Sequence, residues 1–221
     1  VHPTDDYTGL PQGELGKTEM WYVLDAKPGA KIIYGLKDGV TRETLAAAIN
    51  ENRIMDELQE VPVQAGDTFY IPAGTVHALC AGVLVAEIQQ NSDTTYRLYD
   101  YDRPGLDGKP RELHIEDSLN VIAYEGAGAT TMKTDGLAAG EWLELARSPY
   151  FVVEKGMVQH AWELSTTPDS FTILVVAEGE GTLSWNGDHT TLKGGQCFLL
   201  PANLGNYTLD GNCTVIRSYL P

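Results

Sequence analysis

The stretch Gly66-Asp67-Thr68-Phe69-Tyr70-Ile71-Pro72-Ala73-Gly74-Thr75-Val76-His77 has the spacing G-x5-P-x-G-x2-H. Gly66-Asp67 is a turn pair, and Thr68 to Ile71 is a short run of β-branched and aromatic residues that suits a strand. Pro72-Ala73-Gly74 ends that strand in a second tight turn, and His77 follows it. A strand, a sharp turn and then an imidazole can aim a ligand into the mouth of a barrel. A single histidine there could equally be a satisfied core residue. A divalent transition metal needs several nitrogen or oxygen donors arriving from different strands, and His2 and Glu19 are the other candidates. Their distance along the chain is no obstacle, because barrel mouths gather residues from distant strands. On residue type alone Glu19 also serves as a solvated strand residue or a partner of Lys17.

The elements that must position these groups read as mainly β. The chain has 221 residues, room for one large all-β domain or two small ones. Strands are expected at 16–24, 31–34, 68–71, 78–90, 150–158, 171–177, 182–185, 197–200 and 213–219. Turns are expected at Pro28-Gly29, Gly179-Glu180-Gly181 and Asn186-Gly187-Asp188. Asn-Gly between strands is a strong hairpin signal. One helical insertion is expected at about 41–58, where Leu45, Ile49, Met55 and Leu58 could form an apolar stripe and Asn50-Glu51-Asn52 could split it in two. A second short helix is expected at 112–121. The alternating polar and aromatic run 91–103 reads as a half-buried strand. Many closely spaced short strands indicate a barrel or sandwich.

An internal echo supports two related units. Gly66-x-x-Phe69-x-x-Pro72-Ala73 recurs as Gly195-x-x-Phe198-x-x-Pro201-Ala202, and Asn206 falls where His77 would repeat. The second copy therefore lacks the ligand, and His160 and His189 read as surface or structural residues. The expected division is a metal-bearing barrel at 1–125, a Gly/Thr-rich linker at 126–149 and a degenerate barrel at 150–221.

Formal net charge is −16, which argues against a general nucleic-acid or anionic-membrane surface. An anionic small substrate would need local lysine or arginine. Three widely spaced cysteines, Cys80, Cys197 and Cys213, form neither a disulfide framework nor a zinc-finger pattern and fit a reducing cytoplasm. No segment is apolar enough to span a membrane, and no secretory signal is visible. The chain opens on Val1 in what reads as the middle of a strand, so a longer parent protein is expected. Oligomeric state is not legible.

The strings VHP, GKTEMWYVLD, IPAGTVHALCAG and EIQQNSDTTYRLYDYDR resemble class I mannose-6-phosphate isomerase of the bacterial type, a cupin-superfamily family. The match runs from Val1 to about Tyr124, with weaker motif support in the tail. The resemblance implies two cupin-type (jelly-roll) antiparallel barrels and one metal ion per chain, usually Zn2+. It implies His2, Glu19 and His77 as ligands, with a further Gln expected just before Val1; without it the chain could fold yet be inactive. The family's catalytic Arg matches Arg97, and pocket residues match Lys17, Glu87 and Asp93. The implied reaction interconverts mannose 6-phosphate and fructose 6-phosphate through a cis-enediol. Two histidines and a carboxylate also describe the facial triad of non-haem iron oxygenases. A sugar-binding cupin without catalysis is a third possibility.

Overall fold

The computed structural model describes residues 1–101, 103–105, 108–125 and 137–221. Thirteen strands and two α-helices are assigned among them. The first part contains β1 (Glu19–Ala26), β2 (Lys31–Leu36), α1 (Arg42–Asn50), a 3-10 turn (Ile54–Asp56), β3 (Leu58–Pro62), β4 (Thr68–Ile71), β5 (His77–Leu79), β6 (Val83–Gln89) and α2 (Ile115–Val121). The rest contains β7 (Trp142–Arg147), β8 (Val152–Val158), β9 (Trp162–Ser165), β10 (Thr172–Trp185), β11 (Asp188–Lys193), β12 (Cys197–Leu200) and β13 (Asn206–Tyr219). The described residues cluster into two compact units. Residues 1–65, 69–84 and 89–125 form the first; residues 137–221, with the short pieces 66–68 and 85–88, form the second.

Two three-stranded sheets, ordered β4-β1-β6 and β3-β2-β5, carry the first part. β1 is buried on both faces from Glu19 to Val23, so after Glu19 its sequence reads as a continuous apolar run. The core beneath β2 and α1 includes Ile33, Leu36, Leu45, Ile54, Tyr96 and Leu119. Leu45 is fully buried, which is worth about 2 kcal/mol of apolar transfer. Thr41 caps α1 with a reciprocal Thr41–Thr44 capping box. The expected helical stretch is split at Asn50-Glu51-Asn52, as expected, but its second piece is only the short 3-10 turn. Asn52 takes a left-handed backbone (φ 55°), which ends α1; Met55 lies in the 3-10 turn and Leu58 already opens β3.

Over residues 91–101 the expected alternation is kept without a ladder. Thr94, Tyr96, Leu98 and Asp100 are buried, yet the segment bonds irregularly, through Tyr96 N–H to the Val1 carbonyl and His114 N–H to the Arg97 carbonyl.

In the second part β11-β10-β13-β8-β7 form one antiparallel sheet, with β12 added to β10 and β9 to β13. Asn186-Gly187 connects β10 and β11 as expected, with Trp185 paired to Asp188 and positive φ at both turn residues. Gly179-Glu180-Gly181 is not a turn. β10 runs straight through it, with a register shift between Val176 and Glu178. The glycines serve close backbone approach instead: a Cβ on Gly179, Gly181 or Gly211 would lie 2.2–2.6 Å from backbone oxygen or carbon of the facing strand. Strand β7 lies inside the stretch expected as linker; residues 126–136 of that stretch fall outside those described.

The echo seen in sequence is also an echo in structure. β4 and β12 share its offset. Both are followed by a turn closed from the fourth residue back to the proline, Thr75 N–H to Pro72 and Leu204 N–H to Pro201, each 3.2 Å. The third turn residue has positive φ in both, Gly74 at 86° and Asn203 at 62°.

A candidate metal centre at His2, Glu19 and His77

Glu19 points from β1 into the first unit with 1% exposure. Its Oε2 lies 3.4 Å from Nε2 of His2 and its Oε1 lies 3.3 Å from Nε2 of His77. The two imidazole centroids are 4.8 Å apart. One donor atom from each of the three residues fits within 4.8 Å of the others.

Backbone carbonyls fix the orientation of both rings. His2 Nδ1 is 2.8 Å from the Thr94 carbonyl, and His77 Nδ1 is 2.9 Å from the Thr75 carbonyl. A carbonyl can only accept, so each Nδ1 carries a proton, which in a neutral imidazole leaves the Nε2 lone pair on the side of Glu19. Trp21, two residues along β1 from Glu19, packs its ring edge-on against His77 with centroids 5.4 Å apart.

Local backbone chemistry explains the convergence. Gly74 occupies the third position of the Pro72–Thr75 turn, where φ > 0 favours glycine. Its N–H donates to the His2 carbonyl at 2.8 Å, and its carbonyl accepts from Ala123 N–H at 3.0 Å. One turn therefore seats both histidines. Gly16 does the same on the other side. A Cβ there would lie 2.5–2.6 Å from backbone atoms of Pro3, Thr4 and Asp5, and the next residue, Lys17, donates its N–H to the Pro3 carbonyl at 3.0 Å.

Lys17, 8% exposed, places Nζ 2.7 Å from Glu19 Oε2. Burial pushes the Glu19 carboxyl up, but the neighbouring His2 and His77 rings and the Lys17 ammonium outweigh it and bring it down to about 2. Burial lowers the His77 imidazole to about 3, against the upward pull of Glu19. His77 is thus neutral at neutral pH, and Lys17 is the ion-pair partner of Glu19.

These donors fit a divalent transition metal. The carboxylate is ionised, and His77 is neutral with Nε2 turned inward. Glu19 Oε2 is fully buried and, despite its ionic contact with Lys17, has no well-directed hydrogen bond. Two histidines and a glutamate are a donor set used by catalytic zinc.

The other expected pocket residues are placed less closely. Arg97 is half-buried, and its backbone is tied to His114. Asp93 and Glu87 are exposed, Glu87 on β6. His160 and His189 are exposed on the second unit. Sequence reading passed over Trp21 and the carbonyls of Thr75 and Thr94. Trp21 carried a signal, its i+2 spacing from Glu19 on a strand; the carbonyls carried none, since every residue type has one.

An antiparallel β fold with a His/Glu/His cluster beside a strand–turn–histidine motif defines a cupin-like protein, although among the described residues the sheets do not close into a continuous barrel. The family model for the mannose-6-phosphate isomerase cupin domain matches residues 142–220. The mannose-6-phosphate isomerase ManA of Bacillus subtilis is 40% identical over 228 residues, covering 100% of this chain and 70% of its own length. The mannose-6-phosphate isomerase of Streptococcus mutans is 37% identical over 219 residues, covering 99% and 69%. The crystal structure of a mannose 6-phosphate isomerase from Bacillus subtilis superposes with a TM-score of 0.85 at 40% identity, covering 99% of this chain and 69% of that one. The chain belongs to the mannose-6-phosphate isomerase family of enzymes.

Proposed function

We propose that the chain carries the active site of an aldose–ketose isomerase interconverting mannose 6-phosphate and fructose 6-phosphate through a cis-enediol. The observation that carries this reading is the meeting of His2, Glu19 and His77 around one point, with Lys17 against the carboxylate. His2 Nε2, His77 Nε2 and a Glu19 oxygen would hold one Zn2+ per chain. When bound, the ion supplies Lewis-acid polarisation of the sugar carbonyl.

The reaction moves a proton from C2 to C1 and shifts hydroxyl protons between O1 and O2, so no electrons leave the sugar. Arg97 offers a fixed, forked cation for the phosphate or for the oxyanion that develops on the way to the enediol. Lys17 holds Glu19 in its ionised form and adds a second cation for an anionic substrate that a chain of net charge −16 repels at long range. Glu87 and Asp93 are the carboxylates assigned to the proton transfer or to orienting the cations.

We assign residues 1–125 as the metal-bearing part and 150–221 as a second cupin part without a metal, consistent with Asn206 in the place of His77. Three free cysteines support a reducing, cytoplasmic setting. Among the described residues no helix is long and apolar enough to cross a membrane.

The test pairs metal analysis with solvent-deuterium exchange at C2 of mannose 6-phosphate. Zinc near one equivalent and deuterium in recovered sugar are expected. Bound metal with an unlabelled, unconverted sugar would overturn the isomerase; iron-dependent oxygen uptake in its place would identify an oxygenase.

A further inference from the structure

The contacts that bring His2 and Glu19 together converge on a side chain with no ligand role of its own. Gln90, just after β6, is 6% exposed. Its Oε1 accepts from Thr18 N–H at 3.2 Å, and its own N–H donates to the Thr18 carbonyl at 2.9 Å. Its Nε2 donates to Oδ1 of Asp5 at 2.8 Å, and the same oxygen accepts from Gly16 N–H at 2.8 Å. One amide therefore grips both sides of the site: Thr18 lies between Lys17 and Glu19, and Asp5 lies three residues beyond His2.

The residues after Gln90 continue the same seam. Ser92 Oγ donates to the Leu15 carbonyl at 2.8 Å, and Thr94 Oγ1 donates to Glu14 Oε2 at 3.1 Å. The Thr94 carbonyl then anchors His2 Nδ1. Segment 90–94 is stitched to 14–18 along one edge and to His2 at its end.

We infer that Gln90 is the positioning residue of the metal centre: its amide sets the register of segment 16–19 against segment 3–5, and through it the spacing between the Glu19 carboxylate and the His2 imidazole. The assignment rests on the metal reading above. The chemistry requires an amide. The group donates to a carboxylate at one end and accepts from a backbone N–H at the other. Glutamate would face Asp5 with a like charge, and an aliphatic side chain would leave the Thr18 N–H buried without that acceptor. Register matters because a one-residue slip of a strand turns every side chain to the opposite face, which would carry Glu19 away from both imidazoles. Groups that orient metal ligands typically change metal affinity by about 10–100-fold when lost.

The test is zinc titration of the metal-free protein against a chromophoric chelator, with thermal unfolding measured in parallel. Gln90→Ala is expected to weaken zinc at least about 10-fold. Gln90→Glu, which keeps the side-chain shape and guards against loss of folding, is expected to do the same, with part of the affinity recovered in the double variant Gln90→Glu plus Asp5→Asn. Ile54→Ala, a core truncation outside the hydrogen-bonded seam of residues 5, 14–18 and 90–94, is the control: it lowers Tm and leaves zinc affinity within about 2-fold. Gln90 variants that bind zinc as the wild type does, or lose no more affinity than Ile54→Ala, overturn the assignment alone. A wild-type protein that takes up no zinc overturns the proposed function and this assignment with it.

Discussion

Exchanging Glu19 for its neutral isostere tests the electrostatics of the centre without any metal. Glu19→Gln keeps the side-chain shape but leaves Lys17 facing an amide. At the observed 2.7 Å and an effective dielectric of about 20, the attraction lost is about 6 kcal/mol. The lost attraction is partly offset because the carboxylate no longer has to be desolvated. Breaking a buried pair from one side typically costs about 3–5 kcal/mol, and both partners here are nearly buried. Replacing both at once removes the stranded charge, so Lys17→Met with Glu19→Gln should recover most of the loss. The assay is urea unfolding at pH 7 with a chelator present, run as a double-mutant cycle. The expected coupling is about 2–4 kcal/mol. A coupling below about 1 kcal/mol would show that Lys17 and Glu19 behave as a solvated surface pair, and the account of how Glu19 stays ionised would fail.

Three further outcomes are expected. Gly16→Ala places a methyl carbon 2.5–2.6 Å from the backbone of residues 3–5; it should destabilise the protein by about 1–3 kcal/mol and weaken zinc binding, read by calorimetry and chelator competition, whereas an unchanged zinc affinity would unlink Gly16 from His2. Arg97→Ala should lower turnover of mannose 6-phosphate by at least about 100-fold while zinc content stays at wild-type level; unaltered turnover removes Arg97 from the pocket. The hydrogen bonds from Arg111, with those from Arg103, hold the Asp100 carboxyl well below the usual carboxylate range. That stability is fully present above the unfolded carboxyl's value near about 4 and is lost as pH falls below it. Between pH 5 and 3, Asp100→Asn should therefore lose less Tm than the wild type, and parallel curves would refute the linkage.

Part of the candidate site was legible because His77 sits in a motif of rigid spacing. Pro72 and Gly74 specify the turn before His77 by backbone chemistry alone, whereas Glu19, at the start of β1, was equally readable as a solvated strand residue or a partner of Lys17. Partnership between His2 and Gly74, or between Gln90 and Asp5, is a matter of tertiary approach, and no local pattern encodes it. The glycines at 179 and 181 show the complementary error. Read locally, Gly-x-Gly announces a turn, yet here glycine answers to a facing backbone rather than to a change in chain direction. The run 91–103 was misread for a related reason: alternation reports which side chains point inward, not whether a neighbouring strand is there to complete a ladder.

The glycines also have a mechanical consequence. They sit near the middle of two fourteen-residue strands. On one side of them β10 borders β12, and on the other it borders β11; β13 likewise borders β9 with its first residues and β8 with its last. A single long ribbon is thus shared by four neighbours. All four lean on the β10–β13 ladder, so the slowest-exchanging amides of this half are expected along that seam, with the shorter outer strands opening first.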